Sequence, residues 1–283
     1  MFSKIGFIGA GQMAKAIGLS MVRKGVVKPS EVFVSCPEEQ YLEAWKEVGC
    51  RTTIHNGNNN LGEVVDDSDT IIWAVKPQIF NTALQSTEYN VDNTSKFHVS
   101  IMAGIPLLDF TKLLQLKFKS SKISTARAMP NIAMKVDCGC SVYTMDEATS
   151  SENKELLSKL LGSVGLCFEV PEHQINAYCG LFSSGIGFMF PILEGLSDGA
   201  VNMGIPRDLS LQIAAQTMKG AAQLILGEGN SHPGALKDSV CSPGGTTIRG
   251  IAQLEFHSVR YALMKAVEAA TTRGEELGMK SKK

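Results

Sequence analysis

Two glycine clusters lie far apart in this chain, and each leaves backbone amides free to bind an anion. The first is Gly9-Ala10-Gly11-Gln12-Met13-Ala14, directly behind the apolar run from Ile5 to Ile8 and ahead of a helical pattern ending near Gly25. In this strand-turn-helix context GxGxxA is a dinucleotide fingerprint. Gly9 allows the tight turn, and Gly11 lets backbone approach a pyrophosphate where helix amides and dipole favour negative charge. Ala14 lets the helix pack closely on the strand. The second cluster is Ser242-Pro243-Gly244-Gly245-Thr246-Thr247, which interrupts a C-terminal third that otherwise reads as helix. Adjacent glycines are costly to order. Either this is a plain turn and helix cap, or its amides hold a carboxylate while a threonine hydroxyl meets a ring nitrogen.

Other candidates gather at the ends of predicted strands. The second strand ends Val34-Ser35-Cys36-Pro37, without the acidic residue that accepts from the ribose 2′-hydroxyl of NAD. Ser35 can donate to a 2′-phosphate, so NADPH is accommodated. No Arg or Lys follows immediately, so the choice between NADPH and NADH stays open. Ala74-Val75-Lys76-Pro77 follows a strand and places Lys76 at the ligand edge of an open sheet, with Pro77 starting a helix. At the same edge the small pair Ala103-Gly104 fits close approach to a nicotinamide.

The helical half offers no obvious acid or base. A hydroxyacid dehydrogenase needs a positioned lysine or histidine to move a proton on and off an alkoxide. The helix after Gly185 presents Ile186, Phe188, Met189 and Phe190 instead, and His232 and His257 read as structural or solvated. His55, His98 and His173 fall in the first half or the connection. Hydride addition to a protonated imine suits such a site better, because that electrophile already carries its charge.

The elements that must position these residues follow from periodicity. Strands near residues 5–8, 31–35, 70–75, 97–105 and 122–129 alternate with helices near 12–25, 38–48 and 106–116, the signature of a parallel sheet with right-handed crossovers. From about Gln174 the chain is helical. The stretch from Gly185 to Gly204 is apolar around most of its circumference, Pro191 is expected to kink it, and burying it calls for a second subunit. A last helix is expected from about Thr247 to Leu277. The fold class is therefore α/β, a Rossmann-like doubly wound sheet over residues 1–170 followed by an all-α dimerisation domain over 171–283.

Composition narrows the class. The 283 residues are 44% hydrophobic and 19% charged with a formal net charge of −1, which points away from nucleic acid. Apolar runs are broken short of the ~20 residues a membrane span needs. Seven scattered cysteines form no CxxC pair, so reduced thiols, no metal site and a cytoplasmic location are expected. The N-terminus reads as strand from Lys4, leaving no room for a targeting segment.

Taken together, "GFIGAGQMAKAI", "AVKP", "VSIMAGI", "RAMPN", "DGAVNMGIPRDLSLQIAAQTMKGAA" and above all "DSVCSPGGTTIRGIAQLE" resemble the pyrroline-5-carboxylate reductases over nearly the whole length. The resemblance implies NAD(P)H reduction of a cyclic imine, L-1-pyrroline-5-carboxylate, to L-proline. By motif it assigns the cofactor to Ile8, Gly9, Ala10, Gly11, Gln12, Met13, Ser35, Asn56, Ala74, Val75, Lys76, Pro77 and Ala103. It assigns the substrate to Gly244, Gly245, Thr246 and Thr247, with Thr247 at the imine nitrogen. It implies a homodimer through exchanged C-terminal helices, assembled into a decamer, with the site between subunits. Departures are the run Gly180-Leu181-Phe182-Ser183-Ser184-Gly185, Ser239 in place of a cofactor-contacting asparagine, Asn230 in place of a glutamate, and a long "NGNNNLGE" connection. The competing readings are a reductase of another cyclic imino acid, a hydroxyacid dehydrogenase relative and a nucleotide-sensing scaffold without turnover.

Overall fold

The computed structural model describes residues 4–55, 61–87, 96–227 and 232–280. Its eight strands are β1 (Ile5–Ile8), β2 (Val32–Cys36), β3 (Arg51–Ile54), β4 (Thr70–Trp73), β5 (Phe97–Ser100), β6 (Ser124–Pro130), β7 (Gly139–Met145) and β8 (Gly165–Glu169). Its helices are α1 (Gln12–Arg23), α2 (Glu43–Glu47), α3 (Leu61–Asp66), α4 (Phe80–Gln85), α5 (Leu107–Phe118), α6 (Ser151–Gly162), α7 (Ile175–Phe182), α8 (Gly185–Asn202), α9 (Arg207–Gly227), α10 (Pro233–Ser239), α11 (Thr246–Phe256) and α12 (Val259–Lys280).

One sheet runs in the order β3-β2-β1-β4-β5-β6-β7-β8. Its first six positions are parallel, in the dinucleotide-fold order. Every residue of β1, β2, β4 and β5 is buried, as strands covered on both faces require. The expected all-parallel sheet needs one correction. β7 pairs antiparallel with β6, and β8 runs parallel to β7. The connection over 131–138 holds only a 3-10 turn (Ile132–Val136), too short for the crossover a parallel pair demands.

The chain divides into two compact units, residues 1–183 with 270–283, and residues 184–269. In this division α12 spans both units. Its last turns rejoin the first unit, where a Cβ at Gly274 would lie 3.5 Å from Asn176 Oδ1. In the first unit Trp45, Trp73, Phe7, Phe80, Phe97 and Phe110 are fully buried in two large clusters on the sheet. α1 crosses so closely that a Cβ at Gly18 would meet the Trp45 ring at 2.3 Å.

The second unit contains α8 to α11 and the start of α12. α8 runs from Gly185 to Asn202 with Pro191 inside it. The single helix expected from Thr247 to Leu277 is two helices, because Ser258 takes a left-handed φ of 54° between α11 and α12. The stretch Glu172–Asn202 reaches a mean hydropathy of 1.4 and is long and apolar enough to cross a membrane by length and composition, which corrects the expectation that no run is.

Candidate functional site

The cofactor end forms where β1 feeds α1. Gly9 sits at φ 105°, its amide donates to the Ser35 carbonyl at 2.8 Å, and a Cβ there would lie 2.6 Å from the Ala74 carbonyl oxygen. Only glycine fits this crossing between β2 and β4. Gly11 is the N-cap of α1, and a Cβ on it would meet nothing within 4 Å. No side chain caps α1, and its first turn carries no acidic residue. Amides at the positive end of a twelve-residue helix therefore face open space, the arrangement that binds a pyrophosphate. Ile8 and Ala10 are buried beside the turn, while Gln12 is exposed and Met13 half-buried. The chain's own residues fit a dinucleotide here.

The same sheet edge carries the other cofactor candidates. The Ala74 amide donates to the Ile8 carbonyl at 2.8 Å, which holds Ala74 and Val75 beside the turn. Lys76 is exposed and precedes the 3-10 turn Pro77–Ile79. Ala103 is exposed ahead of Gly104 at φ 78°. Ser35 is fully buried, with its hydroxyl 3.0 Å from His55 Nδ1. Burial pushes the His55 pKa down, so this partner is held toward its neutral form. Asn56 and Asn230 lie outside the described residues.

The substrate candidates occupy the second unit. The loop after α10 turns at Gly244, φ 69°, and the Gly245 amide donates to the Ser242 carbonyl at 3.0 Å. Gly245 then N-caps α11 with no side-chain cap and no acidic residue in the first turn. α10 differs, since His232 Nδ1 accepts from the Gly234 amide at 3.0 Å and so caps that helix. Thr246 and Thr247 open α11, both exposed. The geometry places uncapped helix amides and an exposed threonine hydroxyl within one turn, groups able to meet a carboxylate and a ring nitrogen. Ser239, by contrast, spends its hydroxyl on the Leu236 carbonyl at 2.8 Å.

Comparison with known proteins decides the class. A family model described as pyrroline-5-carboxylate reductase dimerisation matches residues 172–277, and one described as NADP oxidoreductase, coenzyme F420-dependent, matches residues 4–104. Pyrroline-5-carboxylate reductase 3 of Rattus norvegicus is 38% identical over 98% of this chain and 97% of its own. The chain belongs to the pyrroline-5-carboxylate reductase family. The pyrroline-5-carboxylate reductase of Methanosarcina acetivorans is likewise 38% identical, over 98% of both chains. A crystal structure of the Plasmodium falciparum pyrroline carboxylate reductase with NADP bound superposes with a TM-score of 0.83 at 26% identity, covering 98% of each chain.

Sequence reasoning missed a part-buried ion pair between β6 and the segment ahead of α7, at the start of α5. Arg127 on β6, only 5% exposed, donates to Glu172 Oε1 at 2.7 Å, and the same oxygen accepts the Leu107 amide at 3.1 Å. Pro106, the N-cap of α5, has no side-chain acceptor, so a carboxylate from 65 residues away closes the helix. The signal in the sequence was that bare cap.

Proposed function

We propose that the turn at residues 9–13 and the loop at 244–247 are the cofactor and substrate ends of one reaction. The protein is an NAD(P)H-dependent reductase that converts L-1-pyrroline-5-carboxylate to L-proline, the last step of proline biosynthesis. When bound, the reduced nicotinamide supplies a hydride to the imine carbon. The C=N double bond becomes a single bond as its π pair passes to the protonated nitrogen, which stays in the ring as the secondary amine of proline.

The chain's residues bind and orient. Amides at the start of α1, with Ile8, Gly9, Ala10, Gly11, Gln12 and Met13, hold the pyrophosphate side. Ala74, Val75, Lys76 and Pro77 flank the ribose, Ala103 lies on the nicotinamide side and Asn56 joins the set by resemblance, whereas the Ser35 and Ser239 hydroxyls would have to turn from His55 and the Leu236 carbonyl to reach the cofactor. Gly244, Gly245 and Thr246 offer amides to the substrate carboxylate, and the Thr247 hydroxyl hydrogen-bonds the ring nitrogen. The observation that carries this reading is α11 itself, which starts at a bare glycine with no acid in its first turn and Thr247 exposed.

Homo-oligomerisation belongs to the same reading, because the dimerisation model spans 172–277. We extend it to a decamer built from five dimers in the cytoplasm, acting without nucleic acid or membrane. Seven free cysteines support a reducing compartment, and assignment of the apolar stretch Glu172–Asn202 to subunit contact supports a soluble assembly. The test mixes purified protein with pyrroline-5-carboxylate and NADPH or NADH and follows dinucleotide absorbance and proline. Consumption coupled to proline is expected, and none with either cofactor in folded protein rejects the reading. Light scattering on the same sample reads the assembly size, for which a ten-chain mass is expected.

A further inference from the structure

The 3-10 turn Ile132–Val136, between β6 and β7, is fastened along α1. Buried Ser20 donates to the Met134 carbonyl at 2.9 Å, and Arg23 donates to the Lys135 carbonyl at 3.2 Å and to Asp137 Oδ1 at 2.7 Å. This fastening presents Lys135 to the opposite end of the helix, where its Nζ donates to Gln12 Oε1 at 2.6 Å. Gln12 is the first residue of α1, at the turn read above as the pyrophosphate site.

That placement runs against ordinary helix electrostatics. Cations are favourable at a helix C-terminus and unfavourable at the N-terminus, where the dipole is already positive. Lys135 is nevertheless held at the N-terminus by a neutral amide oxygen. The carboxylate two residues on, Asp137, is engaged by Arg23, and α1 has no acidic residue in its first turn. Among the described residues Lys135 forms no ion pair. Ammonium and helix amides thus lie at the same end of α1 with like sign and, among the described residues, no paired counter-charge. An anion placed there removes the conflict.

We propose that Lys135 is a phosphate clamp for the dinucleotide: its ammonium, parked on Gln12 Oε1, pairs with the pyrophosphate when the cofactor binds. The proposal rests on the reading of the 9–13 turn as the cofactor site. It assigns to the 3-10 turn after "RAMPN" a binding role that its sequence does not reveal, because the lysine lies 123 residues from its partner. The pyrophosphate is common to NAD and NADP. The clamp therefore strengthens both equally and leaves discrimination between them to the ribose edge.

The experiment measures dissociation constants of NADP+ and NAD+ by calorimetry for wild type, Lys135→Met, Lys135→Arg and Gln12→Glu. Lys135→Met keeps the aliphatic stem of an exposed side chain and loses one named contact, and circular dichroism checks that it folds. A charge-assisted hydrogen bond is worth about tenfold in affinity. Lys135→Met is expected to weaken both dinucleotides by about that factor and to flatten the salt dependence of binding. Lys135→Arg restores affinity, and Gln12→Glu weakens both by giving the ammonium a competing carboxylate. Unchanged affinity in Lys135→Met overturns the proposal, as does a loss confined to NADP+, which would place the ammonium at the 2′-phosphate. Failure of the wild type to bind either dinucleotide would instead reject the cofactor reading.

Discussion

The two compact units solve the burial problem in opposite ways. The first hides two tryptophans and four phenylalanines completely within itself. In the second, residues 184–269, the buried described residues are Gly185, Ser197, Ser210 and Ala214. α8 and α9 meet through small side chains, with the Ser197 and Ser210 hydroxyls 2.7 Å apart. Meanwhile Phe190, Met203, Leu209, Leu211, Ile213, Leu224 and Phe256 are exposed in the single chain. Large contiguous apolar exposure marks an interface, and the dimerisation family model covers these same helices. The difference teaches that one unit carries its own core, whereas the other leaves its apolar side chains uncovered in the single chain, as a dimerisation domain does.

Four perturbations would break or sharpen this contrast. The largest effect is expected from Leu209→Asp with Ile213→Asp, on one face of α9. Oligomers should fall to monomers in light scattering and pyrroline-5-carboxylate reduction should be lost, with NADP+ affinity held within about threefold because that turn lies in the other unit. An active oligomer would show that this face is not the interface. Next, Trp45→Ala removes a side chain packed 5.2 Å from Phe7 and should cost about 3–5 kcal/mol. Chemical denaturation should report the same cost at high and low protein concentration, since this core needs no partner.

A smaller effect is set by pH. His98 is fully buried and its Nδ1 accepts from Trp73 Nε1 at 3.2 Å; burial first, and the Lys96 charge second, push its pKa down to about 3. As pH falls below ~6.5 the unfolded chain takes up a proton that the folded one refuses, so stability declines by about 1.4 kcal/mol per pH unit until the folded group titrates. Urea denaturation from neutral to acid should show this slope, and His98→Gln should flatten it. The smallest effect is expected from Thr247→Ala, with turnover down about tenfold, NADP+ affinity within about twofold and Thr247→Ser restoring the rate. Parallel loss of turnover and cofactor binding would make the start of α11 structural.

Legibility followed the same division. The Gly9 turn, the bare start of α11 and the central strands were readable because their chemistry is local. Several elements were not. β3 is a short, polar edge strand, Arg51–Ile54, with no hydrophobic run to announce it. The break at Ser258 has no glycine or proline to mark it. Ser35 was read as a free donor at the ribose edge, yet its hydroxyl meets His55, twenty residues away. Such a pairing depends on the register of β2 against β3, in which Ser35 lies opposite Thr53.

The sequence by itself determined where backbone amides would be free, since glycines and absent caps act within a few residues; from these came the dinucleotide fold and a candidate substrate loop, while the family was legible through the resemblance of whole motifs. Tertiary structure alone decided the contacts that cross the chain: Glu172 closing α5, His55 on Ser35, Lys135 at the head of α1, and the return of α12 to the first unit. Local propensity is written in neighbouring residues. Side-chain charge finds its partner only after packing has brought distant segments within hydrogen-bonding distance.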